Sequence, residues 1–154
     1  MKRLTLAALG ALVIAAGVAG CSGGSEDASA APTKAQFFKN ANEICAATEK
    51  RIQTQILAYA EKFKGKEPTD PAALESIRQS LGETIVIPAR KQEAEEMSAV
   101  GIPPEDKKRA TAIVKSLEDG VETAKEDPLE AVDDGTKAFG KFWSLARAYG
   151  LKGC

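Results

Sequence analysis

Histidine is absent from this 154-residue sequence, which removes the commonest general base and the commonest metal ligand together. Aromatic side chains make up only 5%, and neither charge sign dominates, with 21 Lys plus Arg against 22 Asp plus Glu and a net charge of -1. That balance leaves no basic footprint for nucleic acid. There is no glycine-rich phosphate loop and no Glu-x-x-His pair for a two-metal site. The acidic pairs are too scattered for a calcium loop. No metal, no cofactor and no catalytic constellation is therefore expected. After residue 32 no stretch alternates apolar and polar residues in the manner of a strand. What remains, 44% hydrophobic and 28% charged, is the composition of one globular domain.

The one long uncharged run lies at the start. Lys2 and Arg3 precede Leu4 to Gly20, a run short for a membrane span whose small residues collect at its far end. This is the layout of a secretory signal segment and its cleavage site. Val18-Ala19-Gly20-Cys21 resembles a bacterial lipobox, in which the Cys21 thiol takes a diacylglyceryl group and cleavage leaves that cysteine first. The expected organisation is a removed signal peptide over 1–20, a lipidated Cys21 and flexible linker over 21–32, and a folded domain over 33–154. Each buried methylene contributes about 0.8 kcal/mol, so two or three acyl chains attach a protein to a bilayer without spanning it. The Gly, Ser and Ala linker from Ser22 to Pro32 would reach about 36 Å stretched and about 18 Å as a coil. Removing residues 1–20 takes two basic side chains and no acid, leaving 19 against 22 and a charge of -3. On net charge alone, electrostatics do not assist such an anchor on an anionic membrane.

Four segments after residue 32 carry helix start signals. Thr33 and Gln36 have capping-box spacing. Asp70-Pro71 and Asp127-Pro128 each set a capping acid before a proline suited to the first helical position, with Glu130 adding to the second. Pro103 and Pro104 force an extended entry, and Glu105 and Asp106 suit a first turn. The apolar stripes agree: Phe38, Ala41, Cys45, Thr48, Ile52, Tyr59 and Phe63; Leu74, Ile77, Leu81 and Ile85; Ala110, Leu117, Val121 and Ala124; Leu129, Val132, Phe139, Trp143 and Ala146. Pro88 lacks a backbone donor and should kink the second helix near Thr84. Gly150 followed by Leu151 suits a Schellman close. The expected fold is all-α, an antiparallel up-down-up-down four-helix bundle with a kinked second helix. All eight aromatic residues fall in the first and last helices, so these two are expected to form the strongest seam.

With Cys21 taken by lipid, Cys45 and Cys154 remain. In an exported domain such a pair is a disulfide candidate. If Phe63 stands level with Pro128, antiparallel counting puts Tyr149 opposite about Asn42, and the tail can return Cys154 to Cys45. Together, Phe38-x-x-Ala41-Asn42-x-x-Cys45 and Tyr149-Gly150-Leu151-x-x-Cys154 resemble the ends of small actinobacterial lipoproteins with a helical domain and a cysteine at each end. The resemblance implies envelope localisation and a helical fold, and supplies no activity.

Charged clusters read as surface. Arg90, Lys91, Glu93, Glu95 and Glu96 are expected on a solvated face, as are Asp133 and Asp134, because neighbouring helical positions point apart. Lys107-Lys108-Arg109 is expected to pair with nearby acids. Phe37, Phe38, Ile102 and Leu151 gather at the linker end, either as a cap on the core or as an apolar patch for a partner or the bilayer surface. The function expected is a membrane-anchored extracytoplasmic module that binds or scaffolds an unknown envelope protein. The alternative is a carrier or sensor holding a small apolar ligand in a cavity lined by Ile85, Leu117 and Phe139. A hydrolase would require a deeply buried carboxylate or an activated serine in a cleft.

Overall fold

The computed structural model describes residues 31–66, 68–133 and 135–154. The signal segment 1–20, Cys21 and most of the linker lie outside them. Helix α1 spans Lys34–Ala60 and tightens into a 3-10 turn at Glu61–Phe63. Helix α2, Pro71–Leu81, runs through a π segment, Gly82–Val86, into α3, Ile87–Val100, as one rod over 71–100. A 3-10 turn at Pro104–Asp106 leads to α4, Lys107–Glu126, followed by the single-turn α5, Glu130–Asp133, and by α6, Thr136–Tyr149. The fold is a helical bundle with no strand among the described residues.

Local chemistry accounts for most of these boundaries. Thr33 and Gln36 form the capping box, with the Gln36 amide donating to Thr33 Oγ1 and the Thr33 amide donating to Gln36 Oε1. Asp70 accepts from the Ala73 amide with Pro71 at the first helical position. At the end of α6, Gly150 adopts φ 106° while its amide and that of Leu151 donate back to Arg147 and Ala146, a Schellman close with Leu151 tucked beneath. The disturbance expected from Pro88 takes the form of the π segment around Thr84, whose hydroxyl donates to the Ser80 carbonyl at 2.6 Å.

The last helix departs from expectation. Asp127 closes α4 rather than opening a fourth helix. Only one turn forms before Gly135, whose φ of 62° ends it, and α6 starts at Thr136.

Helix α3 packs against both α1 and α4, and the closest pairing of backbones is α4 with α6. This corrects the expected dominance of the first and last helices. Rings hold backbones apart, whereas Gly120 lies so close to α6 that a Cβ there would stand 2.6 Å from the Ala138 carbonyl. The core draws on Ala41, Met97, Ile113, Leu117, Ala124, Phe139, Phe142 and Ala146, all essentially without exposure.

At the linker end Phe37 is fully buried and meets Tyr149 edge-on, while Phe38 stacks on the same ring at 4.9 Å. Tyr149 therefore sits about one turn from the position that counting predicts, and Asn42 instead accepts the Lys152 and Gly153 amides at 2.7 Å each. The tail continues to Cys154, joined to Cys45 with Sγ–Sγ 2.02 Å and Cα–Cα 5.1 Å. At the other end α2 buries no residue, and Leu57 and Leu74 are 62% and 43% exposed.

Candidate functional site

The least expected residues in the interior are charged. Val86, Arg90, Glu93 and Met97 follow one another at steps of four, three and four, so the stripe that faces α1 continues through both ionisable side chains. Glu93 has no exposed surface and Arg90 only 5%. The solvated face expected for this stretch is thus corrected at these two positions, while Lys91 and Glu95 are exposed and pair at i,i+4.

Arg90 organises the cluster. Its Nη1 donates to Glu93 Oε2 at 2.8 Å and its Nη2 donates to Glu49, which is half-exposed on α1. Its guanidinium lies over two rings of α6, 5.5 Å from the Phe139 centroid and 5.8 Å from that of Trp143. Next to it Arg51 reaches Glu96 at 3.5 Å, and Glu96 accepts from Gln92 at 2.6 Å. Several buried polar atoms have no partner: Arg90 Nε, Glu93 Oε1, Thr48 Oγ1 and Arg51 Nη1.

Burial is the strongest influence on Glu93 and pushes its carboxyl up to about 7, against the opposing pull of Arg90. Burial pulls Arg90 down, but Glu93 and Glu49 together outweigh it and hold the guanidinium above its ordinary value. A buried ion pair of this kind adds little net stability over apolar packing, because desolvating both charges offsets their attraction.

Arg90 and Glu49 form the polar floor of a cleft of about 240 Å³. Ile52, Ile56, Val86, Ala131 and Val132 supply apolar walls, and Phe139 and Trp143 close one side. Gly135 is buried here against the Trp143 indole, where a Cβ would stand 2.7 Å from the ring. The break before α6 is therefore what lets Trp143 line the cleft.

The residues singled out in the sequence are placed differently. Phe37 and Leu151 are buried and offer no surface, whereas Phe38 and Ile102 are half-buried against the core. Phe37 and Leu151 thus cap the bundle, while Phe38 and Ile102 keep part of their surface exposed. Above them Lys34 bridges to Asp106 and sits over the Phe38 and Tyr149 rings at 5.7 and 5.2 Å. The Lys34 hydrogen bond is the main cause that lowers the Asp106 carboxyl, while burial, with Asp106 beside it, raises the Tyr149 phenol to about 12. Of the residues proposed to line an apolar cavity, Leu117 is wholly enclosed, Ile85 lines a cleft beside Tyr59, and Phe139 lines the Arg90 cleft. Asp133 pairs with Arg78. Cys21 lies outside the described residues.

Among the described residues no helix is long and apolar enough to cross a membrane, and no group of three His, Cys, Asp or Glu side chains could hold a metal ion. No family model, no curated protein and no solved structure matches the chain. The 3-4 spacing through Arg90 and Glu93 was the one signal in the sequence that pointed to this cleft.

Proposed function

We propose that the chain is a lipid-anchored extracytoplasmic lipoprotein whose helices run up-down-up-down, and that its domain is a binding or scaffolding module for an envelope partner. The Cys45–Cys154 bond suits an oxidising compartment, and Val18-Ala19-Gly20-Cys21 supplies the anchor. The observation that carries the binding role is the cleft floored by Arg90 and Glu49. Because burial leaves Glu93 holding a proton up to about 7, the half-exposed Glu49 is the acid that faces the cleft, and it and the Trp143 ring both favour a cation.

At this cleft, size favours a side chain over a free small molecule. Its volume of about 240 Å³ falls below the roughly 300 Å³ at which small-molecule sites begin. One side chain fits. The ligand in this reading is a lysine or arginine of the partner, its stem against Ile52, Ile56 and Val132 and its charged end at Glu49.

Trp143 is the only tryptophan, so its emission reports the cleft alone. Titration with n-butylammonium, which copies a lysine side chain, is expected to change that emission saturably in the wild type and not in Glu49→Gln. Identical, non-saturating responses in both proteins would rule the cleft out as a cation site. In solubilised membranes the same substitution is expected to lose whatever partner the wild type retains.

A further inference from the structure

Among the described residues, six cations without an ion pair gather at the linker end of this domain, while Lys50, Lys62, Lys66 and Lys141, also without one, are scattered over the rest of it. Arg51, Arg78, Lys91, Lys115, Lys125 and Lys137 each lie within ion-pair distance of a carboxylate. Lys39, Lys107, Lys108, Arg109, Arg147 and Lys152 are exposed, and among the described residues none of them makes an ion pair. The pairing expected for Lys107-Lys108-Arg109 is therefore not formed, although Arg109 lies near enough to Asp106 to act on it through space.

All six belong to the linker end, where the Lys34 amide donates to Glu105, Pro32 packs by Gly101 and the tail lies on Asn42. The local acids do not cancel them. Asp106 pairs with the Lys34 ammonium, while Glu105, which accepts only from the Lys34 amide, and Glu43 remain as exposed carboxylates, two against the six cations.

Three of the cations open α4, where the positive end of the helix dipole makes a basic first turn unfavourable. A sequence that carries this local cost without an internal partner points to an external anion. Beside them a groove of about 490 Å³ runs between α4 and α6, with Lys108 and Arg109 at its lip and Ala112, Ile113, Leu145 and Tyr149 along it. Cations at the mouth of an apolar groove match an amphiphile with an anionic head.

We propose that the linker end docks on an anionic phospholipid surface, with headgroup phosphates at Lys107, Lys108 and Arg109 and an acyl chain in the α4–α6 groove. This rests on the anchoring proposed above, because a linker of about 18 Å keeps this end, and not the opposite one, next to the bilayer. The net negative charge of the chain does not oppose it. At a screening length of about 8 to 10 Å a surface senses only the nearest charges, and those are positive.

The test uses the full chain reconstituted in nanodiscs of phosphatidylcholine, with and without phosphatidylglycerol, and reads lysine acylation peptide by peptide. Lys107, Lys108 and Lys152 are expected to label several-fold more slowly in the anionic discs, while Lys91 and Lys115 label equally in both. The protection should vanish near 1 M salt, where screening shortens to about 3 Å. Lys108→Gln with Arg109→Gln, both exposed, should abolish it at Lys107 and Lys152. Equal labelling in the two lipids overturns the proposal, and so does protection that salt leaves untouched. The intact mass of the same sample reads Cys21 separately: an unmodified thiol overturns the anchor, while the labelling contrast still decides the docking.

Discussion

The two ends of this bundle are built from the same kind of amphipathic helix and reach opposite outcomes. At the linker end Phe37, Cys45, Tyr149 and Leu151 are buried and a disulfide ties the tail to α1. At the other end Leu74, Ile77 and Leu81 keep helical spacing along α2, yet α2 buries nothing and Leu57 faces solvent. The difference lies in the neighbours. Near Phe37 three other pieces of chain converge, the loop after α3, the start of α4 and the end of α6, whereas α2 meets little besides the single turn of α5. A stripe shows which face is available for burial, and the topology decides whether anything arrives to bury it.

The sharpest way to break this contrast is to cut the bond at the closed end. Replacing Cys45 and Cys154 with alanine opens a loop with a sequence separation of 109, and urea unfolding should show a loss of about 4 to 5 kcal/mol. Phe37→Ala comes next, at about 3 to 5 kcal/mol for a large ring removed from a packed site, against under about 1 kcal/mol for Leu74→Ala on α2. Equal losses for these two would abolish the distinction between the ends.

Glu93 probes the boundary between them. Its folded carboxyl keeps a proton up to about 7, whereas an unfolded one releases it near 4.5. In that window unfolding releases a proton, so stability is full below about 4.5 and declines as pH rises through about 7, by a few kcal/mol at most. Thermal unfolding across this range should show the decline in the wild type and a flat profile in Glu93→Gln. The smallest effect belongs to Leu57→Gln, within about 0.5 kcal/mol. A larger cost there would mean that the open end is packed in solution.

Much of this architecture was legible before any coordinates. The capping chemistry of Thr33 and Asp70 and the Schellman close at Gly150 follow from short-range rules that tertiary context seldom overrides, whereas the Cys45–Cys154 pair, 109 residues apart, followed from there being only two cysteines left to join. The break at Gly135 was not, because Asp127-Pro128 is a valid helix start and the competing left-handed glycine declares itself only against the Trp143 ring. The ionic cleft was missed for a different reason. Charged residues three apart on a helix usually mark a surface, and only the arrival of α1, with Glu49, and of α6, with Phe139 and Trp143, makes that face an interior. The closeness of α4 to α6 depends on Gly120, whose lack of a side chain carries no helical stripe signal.

The π segment at Gly82–Val86 holds one more residue in its turn than an α-helix would. Each helical residue advances the chain by about 100°, so that extra residue sets the compass bearing of everything upstream of it. Deleting Thr84 would restore an ordinary turn and leave α3 with its ionic cleft in place. Helix α2 would then turn about a third of a revolution on its own axis and present a different face to α1 and α5. The face that this helix offers to solvent is thus an indexed variable, set in one-residue clicks.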